Sequence, residues 1–148
     1  MLIKNFKNYK SFVLLFLFFT FQSTFITGNL KSEDNSYIMN GPLAGSLYYT
    51  SEKPGRWKNL TSSHNPIILK KNDTIEITTN HEMRGFEHYI IKHVVFDKEF
   101  NIISEKKFDP SKSIAKSIHN IRGYSEKIYV LSVCNLHDSW LNSISINK

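Results

Sequence analysis

Cys134 is the only cysteine of the 148-residue chain, and it stands in "SVCNLHDSW" with His137 three positions on and Trp140 three beyond that. A thiolate and an imidazole at this spacing can share a metal ion or form a reactive pair. Five further histidines are available: His64, His81, His88, His93 and His119. His64 precedes an apolar run at "HNP". His81 and His88 bracket a segment that leads into another run, and His137 follows the run that ends at Cys134. Four of the six thus fall at the ends of extended segments, where a folded chain gathers groups distant in sequence. Several imidazoles with one thiolate select a borderline or soft transition metal over Mg²⁺ or Ca²⁺. The alternative for Cys134 is a small buried hydrophobe closing a core strand. Trp140 reads as core packing, which could also wall a metal from bulk water. His93, five residues after His88 in one extended run, points to the opposite face. It and His119 read as surface or hydrogen-bonded histidines.

The elements that must carry these groups are strands. From Pro66 onward "PIILKK", "DTIEITTN", "HYIIKHVVFD", "NIISEKKF", "SIAKSIHN", "KIYVLSVC" and "WLNSISI" follow one another. Each is short and rich in Ile, Val, Tyr or Thr. Turn residues separate several of them: Lys71-Asn72-Asp73, Asp97-Lys98, Asp109-Pro110 and Arg122-Gly123. In "DTIEITT", Ile75 and Ile77 alternate with polar neighbours, the mark of a strand with one buried face. No window outside the first residues has a helical period. About seven such strands predict an all-β fold, an antiparallel β-sandwich of immunoglobulin-like type. Residues 29–55, with "NGPLAGS" and "SEKPGRWK", read as a loosely ordered lead-in, with at most a short strand at "SLYYT". The folded domain is expected over 56–148.

The opening stretch reads as an address. Lys4, Lys7 and Lys10 precede an apolar run from Phe12 to Ile26, and Thr27 and Gly28 are small. This is the pattern of a signal peptide over 1–28, with cleavage expected after Gly28. Thr20, Gln22, Ser23 and Thr24 interrupt the run, so it makes a poor membrane span. Retention as an uncleaved anchor is the alternative, and the only route by which a membrane would enter. The reading predicts an exported, periplasmic protein, in which a lone cysteine has no internal disulfide partner. Loss of the leader removes three lysines and no acids, lowering the formal charge from +6 to +3. Arg56, Arg84 and Arg122 are scattered, with no basic stripe among aromatics, which argues against a nucleic-acid partner.

"YVLSVCNLHDSW", with "SSHNPII" and "HEMRGFEHYI" upstream, resembles the superoxide reductases, the iron domain shared by neelaredoxin and desulfoferrodoxin. The family pattern has a Glu-Lys-His-x-Pro stretch, a pair of histidines further on, and a closing Cys-Asn-x-His-Gly-x-Trp. The match spans about residues 56–146. On this resemblance His64, His81, His88 and His137 fall on the four histidine ligands of a mononuclear iron, and Cys134 on the axial sulfur ligand. The position opposite the sulfur is left open. An immunoglobulin-like sandwich is implied as well. No Cys₄ centre precedes the domain, as in the single-iron neelaredoxin type.

Three departures stand out. Ser62-Ser63 replace the Glu-Lys pair, whose lysine helps draw in the anion in relatives and whose glutamate meets the oxidised iron. The interval from His81 to His88 is one residue longer, bringing Arg84 and Gly85 into the loop. Asp138 replaces the usual glycine after His137, placing a carboxylate near the site. The resemblance implies reduction of superoxide to hydrogen peroxide, with electrons from an unknown donor and backbone N–H groups near Asn135 and Leu136 donating to the sulfur. Arg84 or Lys92 is the expected source of positive potential for the anion. A homo-oligomer is compatible with the sequence. Two other readings stay open: a non-catalytic iron- or zinc-binding module, and a cupredoxin-type copper carrier. The second would want an axial methionine, yet Met83 lies upstream and none follows His137.

Overall fold

The computed structural model describes residues 36–111 and 114–147. The expected signal peptide and the first residues of the lead-in lie outside the described residues. The architecture is the expected seven-stranded sandwich of two antiparallel sheets. In chain order the strands are β1 (Ile67–Lys71), β2 (Thr74–Thr79), β3 (Ile90–Phe96), β4 (Ile102–Lys107), β5 (Ala115–Asn120), β6 (Lys127–Cys134) and β7 (Ser139–Ser145). One sheet runs β1-β2-β5 and the other β4-β3-β6-β7. Each strand coincides with one of the β-branched runs read from the sequence.

Alternation writes the inner faces directly. In β2, Ile75, Ile77 and Thr79 are buried while their neighbours are half-buried; in β5, Ala115, Ser117 and His119 are buried between exposed residues. Ile75 and Ile77 meet Val95, Ile121, Ile128 and Val130 in the core between the sheets. Burying each such side chain stabilises the fold by about 1.5–3 kcal/mol.

A polar band crosses this core beside the apolar one. Thr79 Oγ1 lies 2.9 Å from both His93 Nε2 and Ser132 Oγ, and His93 Nδ1 lies 2.7 Å from Ser117 Oγ. His119 continues the string, bonded to Ser117 at 2.8 Å and to Ser104. His93 and His119 are therefore hydrogen-bonded interior residues that join the two sheets. Burial, reinforced by nearby His119, pushes the His93 pKa down to about 3, so the ring is neutral.

β6 is buried on both faces, which needs a second cover. Residues 36–50 supply it. Met39, from the short helix α1 (Ser36–Asn40), packs with Tyr129 and Leu141 on the outer face of the four-stranded sheet, with Ile38, Tyr48, Phe96 and Leu131 around them. Hydrogen bonds tie the segment down: Tyr48 Oη to the Ile38 carbonyl at 2.6 Å and Thr50 Oγ1 to that of Met39 at 2.8 Å. Tyr49 exchanges backbone bonds with β7, its N–H reaching the Ser139 carbonyl and its carbonyl taking the Leu141 N–H. Over residues 36–50 the expected loose lead-in is thus a packed layer, and "SLYYT" forms isolated bridges, Ala44 to Tyr48 and Tyr49 to Trp140. A 3₁₀ helix (Gly55–Leu60) and the single turn α2 (Thr61–His64) follow. These helices are too short to show a period in sequence.

Candidate metal centre

Three stretches converge at one end of the sandwich. His64 is the last residue of α2. Asn65 is extended (φ −67°, ψ 122°), as a residue before proline prefers, so Pro66 ends the helix and turns the chain into β1. His81 leaves the end of β2. His88 closes a turn in which the Arg84 N–H donates to the His88 carbonyl at 2.8 Å and Gly85 sits at φ +61°, a conformation glycine adopts without strain. β3–β6 pairing sets Ile90 opposite Cys134 and so brings the His88 loop beside the Cys134–His137 turn.

Asn135 locks those two loops together. Its Oδ1 accepts the Tyr89 N–H at 2.9 Å, and its Nδ2 donates to the carbonyls of Phe86 and Glu87 at 3.2 and 3.1 Å.

One ligand atom from each of His64, His81, His88, Cys134 and His137 lies within 4.8 Å of all the others. The nitrogens follow one another closely: His64 Nε2 to His137 Nδ1 3.0 Å, His137 Nδ1 to His88 Nε2 2.9 Å, His88 Nε2 to His81 Nε2 2.8 Å. Cys134 Sγ lies 3.7 Å from both His81 Nε2 and His137 Nδ1. Two imidazole nitrogens bound at right angles to one ion at about 2.0–2.1 Å would lie about 2.9 Å apart, so this spacing fits a single metal.

The donor chemistry fits as well. His64 Nδ1 lies 3.2 Å from the Leu60 carbonyl and 2.8 Å from Ser63 Oγ. A carbonyl can only accept, which assigns the proton to Nδ1 and turns the Nε2 lone pair inward. Burial lowers the His64 and His81 pKa values to about 4, helped by neighbouring histidines, and lowers that of His88 too. Neutral imidazoles gathered in this way suit a cation. Burial pushes the Cys134 thiol up, while backbone N–H groups of Leu136, His137 and Asn135 work the other way by favouring the thiolate.

Met83 is not in this group: its sulfur takes the Ile90 N–H at 3.4 Å and packs behind Cys134 with Ala115 and Phe108.

The sequence matches no family model and no curated protein. Among solved structures, the chain is similar to the superoxide reductase (neelaredoxin) from Ignicoccus hospitalis, with TM-score 0.53 and 21% identity over 70% of this chain and 96% of that one. A variant of the same protein aligns with TM-score 0.58 and 19% identity, over 70% and 95% of the two chains. The fold is that of the superoxide reductases.

Against that fold the departures acquire positions. Ser63, at the family's lysine position, bonds the Leu60 carbonyl and His64 and carries no charge. Arg84 stands beside His81 and His88, but its guanidinium is engaged by Glu82 at 2.5 and 2.8 Å. Lys92 is paired with Glu105 at 2.8 Å. Both cations expected to attract an anion are thus partly neutralised by a carboxylate. The Asp138 carboxylate turns away from the five-atom cluster, to Arg56 Nη2 at 2.6 Å and Trp57 Nε1 at 2.8 Å. Arg56, Trp57 and Glu82 were not singled out in sequence for these contacts. The Asp138 substitution was the one signal pointing to Arg56 and Trp57, and Arg84 in the lengthened loop the one pointing to Glu82.

Proposed function

We propose that the protein reduces superoxide to hydrogen peroxide at a single iron held by His64, His81, His88, His137 and Cys134, in the periplasm after removal of residues 1–28. The balance is one superoxide, one electron and two protons to one peroxide, with the electron replaced by an external donor. The observation that carries the reading is the convergence of four imidazoles and one sulfur beside a cavity lined by histidines and not by the sulfur. That cavity, about 190 Å³, is bounded by Leu60, Ser63, His64, His81, Glu82, Arg84 and His88. A diatomic anion fits there on the imidazole side of the cluster.

Iron, when bound, supplies the one-electron chemistry. The chain sets the conditions for it. Cys134 would hold the iron as a thiolate and lend it negative charge, tuned by the backbone N–H groups of its own turn. Leu60 and Ser63 hold the His64 tautomer. Trp140, fully buried, donates Nε1–H to the His137 carbonyl at 3.0 Å and lies with its ring tilted against His64, keeping water from the back of the site. Arg84 lends positive potential at the cavity, reduced by Glu82.

The neutralised cations and Ser62-Ser63 favour a second reading, an iron or zinc module without turnover. Metal analysis with an absorption spectrum of the oxidised protein, followed by pulse radiolysis with superoxide, separates the two. Stoichiometric iron with a rapid bimolecular reaction supports reduction; zinc, or iron inert to superoxide, overturns it.

A further inference from the structure

His137 is the odd ligand of the set. The other three histidines face the centre through Nε2, whereas His137 does so through Nδ1. Nδ1 adjoins the ring carbon that carries the side chain, so a small rotation of the ring turns its lone pair away from the common point. Something must hold that ring.

Trp57 meets it edge-on, with centroids 4.8 Å apart and planes at 76°. Trp57 is itself held from two sides. Its Nε1–H donates to Asp138 Oδ2 at 2.8 Å, and the Arg56 guanidinium lies 4.9 Å over its ring while bonding the same carboxylate oxygen at 2.6 Å. Asp138 directly follows His137 and closes the turn back to Cys134, whose N–H donates to the Asp138 carbonyl at 2.9 Å.

Asp138 also sits at φ +61°, where glycine would be at ease and a side chain is strained. The ion pair with Arg56 is too exposed to offset that cost, at 65% and 39% side-chain exposure. The carboxylate is better explained by what it holds.

Building on the iron-site reading above, we infer that Asp138 and Trp57 form a positioning pair for His137. The aspartate anchors the indole by its N–H, and the indole edge fixes the imidazole so that Nδ1 faces the metal. The 3₁₀ helix thereby becomes part of the metal site although it contributes no ligand.

The test uses the full chain loaded with cobalt(II), reading the thiolate-to-cobalt absorption band and the affinity by chelator competition. Asp138→Gly removes the anchor. Trp57→Phe keeps an aromatic edge but loses the N–H. Asp138→Asn keeps an acceptor for the indole. Both Asp138→Gly and Trp57→Phe should shift the band and weaken cobalt binding about tenfold or more, whereas Asp138→Asn should stay within about twofold of the parent. Near-UV circular dichroism of the metal-free variants confirms that each is folded. Parent-like band and affinity in Asp138→Gly and Trp57→Phe would overturn the inference, as would Asp138→Asn falling as far as Asp138→Gly. A parent protein that binds cobalt without any thiolate band would overturn the metal-site reading together with it; unchanged variants of a parent that shows the band overturn the pair alone.

Discussion

His64 Nε2 lies 3.0 Å from His137 Nδ1 across 73 residues of sequence. His64 presents its Nε2 lone pair across that gap, where a cation could be shared with the His137 nitrogen. Metal should therefore bind the folded chain far better than the unfolded one. Thermal melts with and without a chelator test this: the loaded protein should melt higher, with about 2.7 kcal/mol of added stability when free ion stands a hundredfold above its Kd. Identical melts would remove the metal centre.

Cys134 is buried and contributes the only sulfur of the cluster. For Cys134→Ser the sulfur-to-iron charge-transfer colour should disappear and superoxide reduction with it. The metal-free protein should lose only about 1–3 kcal/mol, for one hydroxyl buried in place of a thiol. Retained colour would mean that the sulfur is not a ligand.

Glu82 offsets the charge of Arg84 at the cavity. Arg84→Ala should slow the second-order reaction with superoxide a few-fold, and Glu82→Gln should quicken it by a similar factor. Both effects should shrink as ionic strength rises above about 0.1 M, where charges beyond about 10 Å are screened. Stopped-flow or pulse-radiolysis rates at two salt concentrations decide it, and equal rates for all three proteins would dismiss electrostatic attraction by this pair.

Asn135 makes three hydrogen bonds between the two ligand-bearing loops. Asn135→Ala should destabilise the fold by about 1–3 kcal/mol and loosen the His88 loop relative to the Cys134–His137 turn. Denaturant unfolding gives the first quantity and hydrogen exchange at Tyr89 the second. An unaltered Tyr89 protection factor would count against the staple.

His93 is neutral in the core, with its pKa lowered from 6.5 to about 3. The unfolded chain takes up a proton below about pH 6.5 that the native chain refuses until about pH 3. Its contribution is complete above pH 6.5 and is lost as pH falls through that window, by about 1.4 kcal/mol per unit. Urea unfolding of metal-free protein between pH 7 and 4 should show a shallower pH dependence for His93→Gln than for the parent. Parallel curves would show that His93 titrates alike in both states.

The local alternation of Ile75, Ile77 and Thr79, and the β-branched runs around them, already determined the strands, because a half-buried strand writes its burial into every second residue. "VCNLH", with His64, His81 and His88 upstream, likewise marked the candidate ligands, since donor types are a property of the residues themselves. Tertiary structure decided how those groups meet. Neither the Nδ1 approach of His137 nor the closing of Glu82 on Arg84 is encoded by spacing. The same holds for residues 36–50, whose few anchors, Met39, Tyr48 and Thr50, follow no period yet cover Tyr129 and Leu141 on the outer sheet face. Arg56 and Trp57 reach Asp138 across 82 and 81 residues. Contacts of that range depend on where two sheets and a short helix come to rest, and a repeat of two or 3.6 residues holds no record of it.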